Sequence, residues 1–323
     1  MRRLLFFSPA NMNVVSGSAV WTQSTAEVLG HLSDSEVTVL LKAPILRSLL
    51  TEPLYAIRNL KVIDPRDQDR YVPNIGLSNE AAFDIVERLD RSQRYDGVIV
   101  RGFSASISAM RRGRYLNRLW SVYPLEPERD IFDLGYQDEL RRLASHSRYM
   151  LVQSEPMRAI LEGHVPEARG KTLLLPPAVP GRSHLGVLPR VQGQTPRLVY
   201  AGKYHPFYCV PELIEQFSTL RASHPELQFH LFGDQIDTSP EFADWASRLE
   251  RLVGAPGVEW HGAVARHELA EELERGGIGL SIWDHRHGSV MNDLVVSTKL
   301  LDYCNAGLAV VLTRTPMQEE ILG

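Results

Sequence analysis

Cysteine is scarce in this sequence: Cys209 and Cys304 are the only two among 323 residues. Far apart and without metal-ligand spacing, they exclude a disulfide framework, argue against a zinc cluster and suit a reducing compartment, as plain core thiols. An excess of one charge is missing too. The 35 Lys and Arg against 39 Asp and Glu leave a formal charge of −4, so there is no global footprint for nucleic acid, and any anion must be held by a local site. No apolar run approaches the roughly 20 residues of a membrane span. Arg2 and Arg3 precede Leu4 to Phe7, but a secretion signal needs an apolar stretch of about 7–15 residues and a small-residue cleavage site, so this start reads as a buried strand in a cytoplasmic protein. Carboxylates are not clustered as a hard divalent cation would want, so no metal is expected. Short-period repeats and low-complexity tracts are absent as well.

What remains is an ordinary globular composition, 44% hydrophobic and 23% charged, long enough for two domains of about 150 residues. Short apolar runs recur at Leu4 to Phe7, Val37 to Leu41, Gly97 to Val100, Tyr149 to Gln153 and Thr172 to Leu175, each followed by a helix-compatible segment. That alternation is the signature of a parallel α/β sheet. A second series starts at Arg197 to Gly202 and continues through Gln228 to Gly233, Val258 to His261, Gly279 to Ile282 and Ala309 to Thr313. Between the two, Pro176 to Pro196 is too rich in proline and glycine for regular structure. The expected fold is therefore two Rossmann-like, doubly wound domains facing each other across a cleft: residues 1–180, a linker over 181–196, and 197–323. The second stops a turn or two into a helix, as a domain truncated at its C-terminal end would. Open α/β sheets bind ligands at the carboxyl ends of their strands, so candidate residues should follow strand ends.

The richest segment is Val295 to Leu312, which reads as loop, helix, glycine stop and strand. Ser297 or Thr298 is a natural N-cap, Leu300, Leu301 and Cys304 form an apolar face, and Gly307 suits a left-handed C-cap. A helix N-terminus offers free N–H groups and partial positive charge to a phosphate. Lys299 in the first turn opposes that dipole, a mismatch an anionic ligand would relieve. Asp302, three residues on, is placed to accept from ligand hydroxyls; a local surface ion pair between the two is the competing reading.

Lys299 to Val311 resembles the donor-site helix of GT-B-fold glycosyltransferases, particularly the family-4-like group (glycosyl transferases group 1). Leu198 to Lys203 resembles the strand that opens their second domain and ends in a basic phosphate contact, and Phe229 to Gly233 the next strand and its glycine. Val258 to Gly262, with His267 to Leu269, resembles the strand and loop whose backbone faces the nucleotide base. In the first half, Gln153 to Arg158 and Leu174 to Val179 resemble the family's strand-to-helix turn and the lead into its linker. The order of these segments is more specific than any one of them.

The resemblance implies a hexosyltransferase-like enzyme that takes a UDP or GDP sugar in its second domain and a saccharide, lipid or small-molecule acceptor in its first. It implies no cofactor, no metal, and retaining chemistry in preference to inverting. Lys299, Lys203 and Asp302 are the implied catalytic set. Gly202, Gly233, His261, Gly262, Trp283, His285, Asp293, Ser297 and Thr298 would line the donor site. The family commonly carries two glutamates eight positions apart; Asp302 matches the second, Leu294 stands at the first, and Asp293 is the adjacent acid. Competing readings are a non-catalytic sugar-nucleotide-binding or scaffold protein of this fold and, as a lesser rival, a GT-B-like epimerase.

On the acceptor side stand Gly17 and Ser18 after the first strand, with a turn glycine as the commoner explanation, and Arg101 after Gly97 to Val100, equally readable as a rim charge. Trp283 suits stacking on a base or sugar, although packing is commoner at a strand end. Arg111 to Trp120 mixes cations and aromatics. It reads first as a solvated face and second as a weak peripheral membrane contact.

Overall fold

Continuous runs of β-branched and aromatic residues form strands buried on both faces, and their parallel arrangement follows from the helices between them. The structure, a computed structural model, describes residues 1–126, 129–178, 197–284 and 293–322. It divides into two compact units whose described residues are Met1–Asn13, 21–126, 129–178 and 293–296 in the first, and Val14–Val20, 197–284 and 297–322 in the second. The expected linker, 181–196, lies outside the described residues.

Among the described residues the first unit holds a seven-stranded sheet. Its strands are β1 (Arg2–Phe7), β2 (Ser35–Leu40), β3 (Leu60–Ile63), β4 (Gly97–Arg101), β5 (Leu119–Val122), β6 (Tyr149–Val152) and β7 (Thr172–Leu174). They are all parallel, in the order β3-β2-β1-β4-β5-β6-β7. Strands β3 and β5 are additional to the expected runs: each is four residues long, and Leu119 and Trp120 lie at the end of the cationic segment Arg111 to Trp120. Alternate residues Leu5, Phe7, Val98 and Val100 pack against Phe83, Val86, Phe103, Leu140 and Leu143 from the helices Asn79–Gln93, Phe103–Arg111 and Leu134–His146. The helix after β1 spans Gly17–Gly30.

Most cations of Arg111 to Trp120 are spent within this unit. Arg111 pairs with Glu139, and Arg112 with Glu80 and Asp84. Arg118 grips the buried Asp90 carboxylate through two 3.0 Å hydrogen bonds. Trp120, half-buried, lies in β5 edge-on to Tyr149. Among the described residues no helix is long and apolar enough to cross a membrane.

The second unit's described sheet contains β8 (Arg197–Ala201), β9 (Gln228–Phe232), β10 (Val258–Gly262), β11 (Ile278–Ser281) and β12 (Ala309–Leu312). All are parallel, in the order β10-β9-β8-β11-β12, and each was expected from its apolar run. The period of two is visible in β8. Tyr200 faces Val210, Ile214, Phe217 and Leu249 from the helices Val210–Arg221 and Ala243–Leu252, while Val199 and Ala201 face Leu273 and Tyr303 from the helices Arg266–Glu274 and Thr298–Asn305.

Candidate functional site

The strand order of the second sheet reverses between β8 and β11, and a parallel sheet opens a crevice at such a point. The β8–β11 ladder runs only from Leu198↔Ile278 to Val199↔Gly279. Beyond it Tyr303 takes over the pairing: its hydroxyl accepts from Ala201 N–H at 2.8 Å and donates to the Leu280 carbonyl at 3.4 Å. Gly279 makes this possible, since a Cβ there would meet the Tyr303 ring at 2.5 Å. The strands thus part around a buried tyrosine.

Gly202 and Lys203 follow β8 on one side of the crevice. The Lys299 stem crosses directly over Gly202, where a Cβ would lie 3.1 Å from Lys299 Cδ. Gly233, after β9, supports the same turn: at φ +121 it is in a region side chains avoid, and a Cβ there would collide with the Gly202 carbonyl oxygen.

On the other side is the helix Thr298–Asn305. Ser297 is its N-cap, accepting from Leu300 N–H at 3.5 Å. At the far end Gly307, with φ +71, and Leu308 return N–H groups to the carbonyls of Cys304 and Tyr303, the double bond of a Schellman stop. Both caps follow the expected pattern. The buried face differs: Leu300, Tyr303 and Ala306 are buried, whereas Leu301 is half-buried and Cys304 exposed. With Cys209 half-buried, neither cysteine is the core thiol expected, because the larger Tyr303 ring takes the inward position.

Lys299 does not pair with Asp302. Its ammonium lies 3.6 Å from the centre of the Tyr208 ring and 4.7 Å from that of Tyr200. Burial, and then the charge of Lys203, pull its pKa from 10.5 down to about 7. Lys203 also approaches Tyr208, at 5.9 Å from the ring centre. Asp302 meets Arg266 at 3.5 Å; burial raises its pKa to about 6, against the lowering effect of that guanidinium. The crevice therefore combines two lysines, the free amides of a helix start and an acid already engaged elsewhere. Among the described residues no carboxylate pairs with the Lys299 ammonium.

Two of its residues were not expected. Tyr208 follows Lys203 by five residues; the turn Pro206–Tyr208 and the left-handed Cys209 (φ 51) deliver its ring beneath both lysines. Arg266 begins a helix and carries no sequence signal linking it to Asp302.

The other expected donor residues divide. Gly233 N–H donates to the Gly262 carbonyl at 2.7 Å, joining the ends of β9 and β10, and Gly262 has a positive φ of +67. The His261 ring stacks on Phe232, 4.5 Å between centres, with Nε2 3.0 Å from His230 Nδ1. Burial, ahead of other causes, lowers the His230 pKa to about 4. Trp283 packs edge-on against Tyr208 and hydrogen-bonds Thr313 through its backbone. Thr298 is half-buried, and its Oγ1 lies 3.3 Å from where a Gly17 Cβ would be. Gly17 opens a helix instead of sitting in a turn, and Ser18 follows it. His285 lies outside the described residues.

Asp293 and Leu294 fall in the first unit. Leu294 is buried in its core, with its carbonyl accepting from Ser154 Oγ at 3.4 Å, so it supplies packing where an acid was sought. Asp293 is half-buried and partnered. Arg101 ends β4 in the first unit as no rim charge: its guanidinium lies 5.2 Å from the Trp21 ring centre and 5.9 Å from that of Tyr123, and burial lowers its pKa.

No family model matches this sequence, and no curated protein matches it. Solved structures do match its fold. Sucrose-phosphate synthase from Thermosynechococcus elongatus aligns with a TM-score of 0.64 at 14% identity, covering 98% of this chain and 82% of that one. The pneumococcal O-GlcNAc transferase GtfA, in complex with UDP and GlcNAc, aligns with a TM-score of 0.64 at 9% identity over 98% and 84%. A trehalose-6-phosphate structure from E. coli, bound with UDP-2-fluoro glucose, aligns with a TM-score of 0.58 at 14% identity over 98% and 86%. The two parallel α/β sheets are those of the GT-B fold.

Proposed function

We propose that this chain is a glycosyltransferase that holds a nucleoside-diphosphate sugar at the β8–β11 crevice and transfers the sugar to a saccharide, lipid or small-molecule acceptor. The observation that carries the reading is Lys299: an ammonium set among tyrosine rings beside a second lysine, at a helix N-terminus, with its pKa drawn down to about 7. Among the described residues no anion stabilises this ammonium, and a diphosphate would supply one. That two of the structural neighbours contain UDP or UDP-2-fluoro glucose supports a uridine donor.

In the transfer the acceptor oxygen bonds to the anomeric carbon as the bond from that carbon to the β-phosphate oxygen breaks; the electron pair leaves with the diphosphate, whose departing oxygen takes the acceptor hydroxyl proton. Lys203, Lys299 and the amides of Thr298 and Lys299 face the developing charge, an effect worth about 3–4 kcal/mol per well-placed donor. Because cations of the chain itself fill this role, the reading includes transfer without a metal at the diphosphate, and its likeness to the family-4 group favours retention. Asp302, held by Arg266, would accept from a sugar hydroxyl, with Gly202, Gly233 and Gly262 giving backbone access to donor groups. Residues 1–180 would form the acceptor side and 197–323 the donor side of a cytoplasmic enzyme.

The test is release of UDP or GDP from a panel of nucleotide sugars with candidate acceptors, with and without a chelator. Release that disappears in Lys299→Ala and survives chelation supports the proposal. Thermal stabilisation by a nucleotide sugar without release would identify a binding protein instead, and an altered sugar still attached to its nucleotide would identify an epimerase.

A further inference from the structure

On β9 and β10, strand pairing gathers a set of ligand atoms that no sequence spacing announces. His230 stands in the middle of β9 and is buried; Glu259 and His261 stand on the neighbouring edge strand β10 and are exposed. The register pairs Glu259 with His230 and then shifts between Trp260 and Gly262, leaving His261 as an extra residue. A bulge of this kind re-aims a side chain, and here it swings the imidazole back toward His230. The three ligand atoms end close together. His230 Nδ1 is 3.0 Å from His261 Nε2 and 3.5 Å from Glu259 Oε2, and His261 Nε2 is 3.9 Å from the same oxygen.

We propose that His230, Glu259 and His261 form a binding site for a divalent transition metal of the Zn²⁺ type, clamping the edge strand β10 to β9. Metal–ligand bonds of about 2.0–2.1 Å in tetrahedral geometry separate neighbouring ligand atoms by about 3.3 Å, and the three observed separations straddle that value. Two imidazoles and a carboxylate suit zinc and its neighbours in the first transition row better than magnesium or calcium, which prefer all-oxygen shells. The fourth position would fall on the exposed side, open to water. An outer partner is also in place: His230 Nε2 faces Gln228 Oε1 at 3.3 Å, an arrangement that presents Nδ1 to the metal. The Phe232 ring, stacked parallel to His261 at 4.5 Å, holds the second imidazole in plane. The nearby Arg197 is countered by Glu272 at 3.5 Å, so the carboxylate of Glu259 sets the local charge. Its three ligands include neither lysine that would meet the diphosphate, so it stands whether or not the chain transfers sugars.

The experiment uses the full chain, freed of any affinity tag and stripped with a chelator, titrated with Co²⁺ and then Zn²⁺. One equivalent of Co²⁺ should give the intense visible absorption of a four-coordinate ion, displaced stoichiometrically by Zn²⁺. His261→Ala should weaken binding by more than about 100-fold, while Gln228→Ala, touching only the outer partner, should cost about 10–100-fold. Because His230 is buried and its replacement risks misfolding, Glu259→Ala on the exposed strand serves as the second ligand variant. Absence of saturable binding, or binding that His261→Ala and Glu259→Ala leave unchanged, overturns the proposal.

Discussion

With Lys299 at a pKa of about 7, a diphosphate that needs its charge must bring a proton when it binds at higher pH. The free protein holds Lys299 about 90% protonated at pH 6 and about 10% at pH 8, one unit either side of that pKa. If the complex holds it fully charged, binding takes up about 0.1 proton at pH 6 and about 0.9 at pH 8. The sign follows from the depressed pKa: affinity is full below about pH 7 and declines as pH rises, by about tenfold, or roughly 1.4 kcal/mol, between pH 6 and 8. Calorimetric titration with UDP and with GDP, in buffers of different ionisation heat, reads the protons directly. Lys299→Arg is the control, because guanidinium stays charged throughout; its uptake at pH 8 should fall below about 0.2. Ionisation of the nucleotide's own phosphate, near pH 6, is common to both proteins and cancels in the comparison. Zero uptake at pH 8 by the unaltered protein, or equal uptake by Lys299→Arg, would refute the placement of Lys299 against the diphosphate.

Without ligand the same lysine burdens the fold, so Lys299→Met should raise the midpoint of denaturation at pH 7 by about 1–3 kcal/mol equivalent, discounted for partial exposure, with the gain vanishing toward pH 10. Gly233→Ala should be far more damaging than Gly262→Ala in urea denaturation: the former drives a Cβ into the Gly202 carbonyl, whereas the latter, with φ +67 and open space, should cost about 1 kcal/mol. Tyr303→Phe deprives the buried Ala201 N–H of its acceptor and should lower stability by about 1–3 kcal/mol with little change in helix content by circular dichroism. Arg118→Ala leaves Asp90 buried without its ion pair, at a cost of about 3–5 kcal/mol. Burial pushes the Asp90 pKa up but hydrogen bonds from Arg118 and Tyr95 outweigh it, so the net lowering gives stability above the usual carboxylate range that is lost on acidification. Arg118→Ala should remove that part of the acid dependence.

Local chemistry carried much of this protein into its sequence. The strands of the second sheet, Ser297 as an N-cap and Gly307 as a helix stop are readable because a period of two, a side-chain oxygen at a helix start and a left-handed glycine act over a few residues. The misplaced features share another cause. Leu119 to Val122 was hidden by the arginines before it, and the inward-facing Tyr303 displaced Cys304, because packing against distant residues decides which polar or aromatic side chain turns in. What only the tertiary structure decided is the company each group keeps. Lys299 lies over Tyr208, Asp302 meets Arg266, and His230 meets Glu259 and His261 across two strands. These meetings depend on strand order, register and one bulge, which long-range pairing sets and no short stretch of chain encodes.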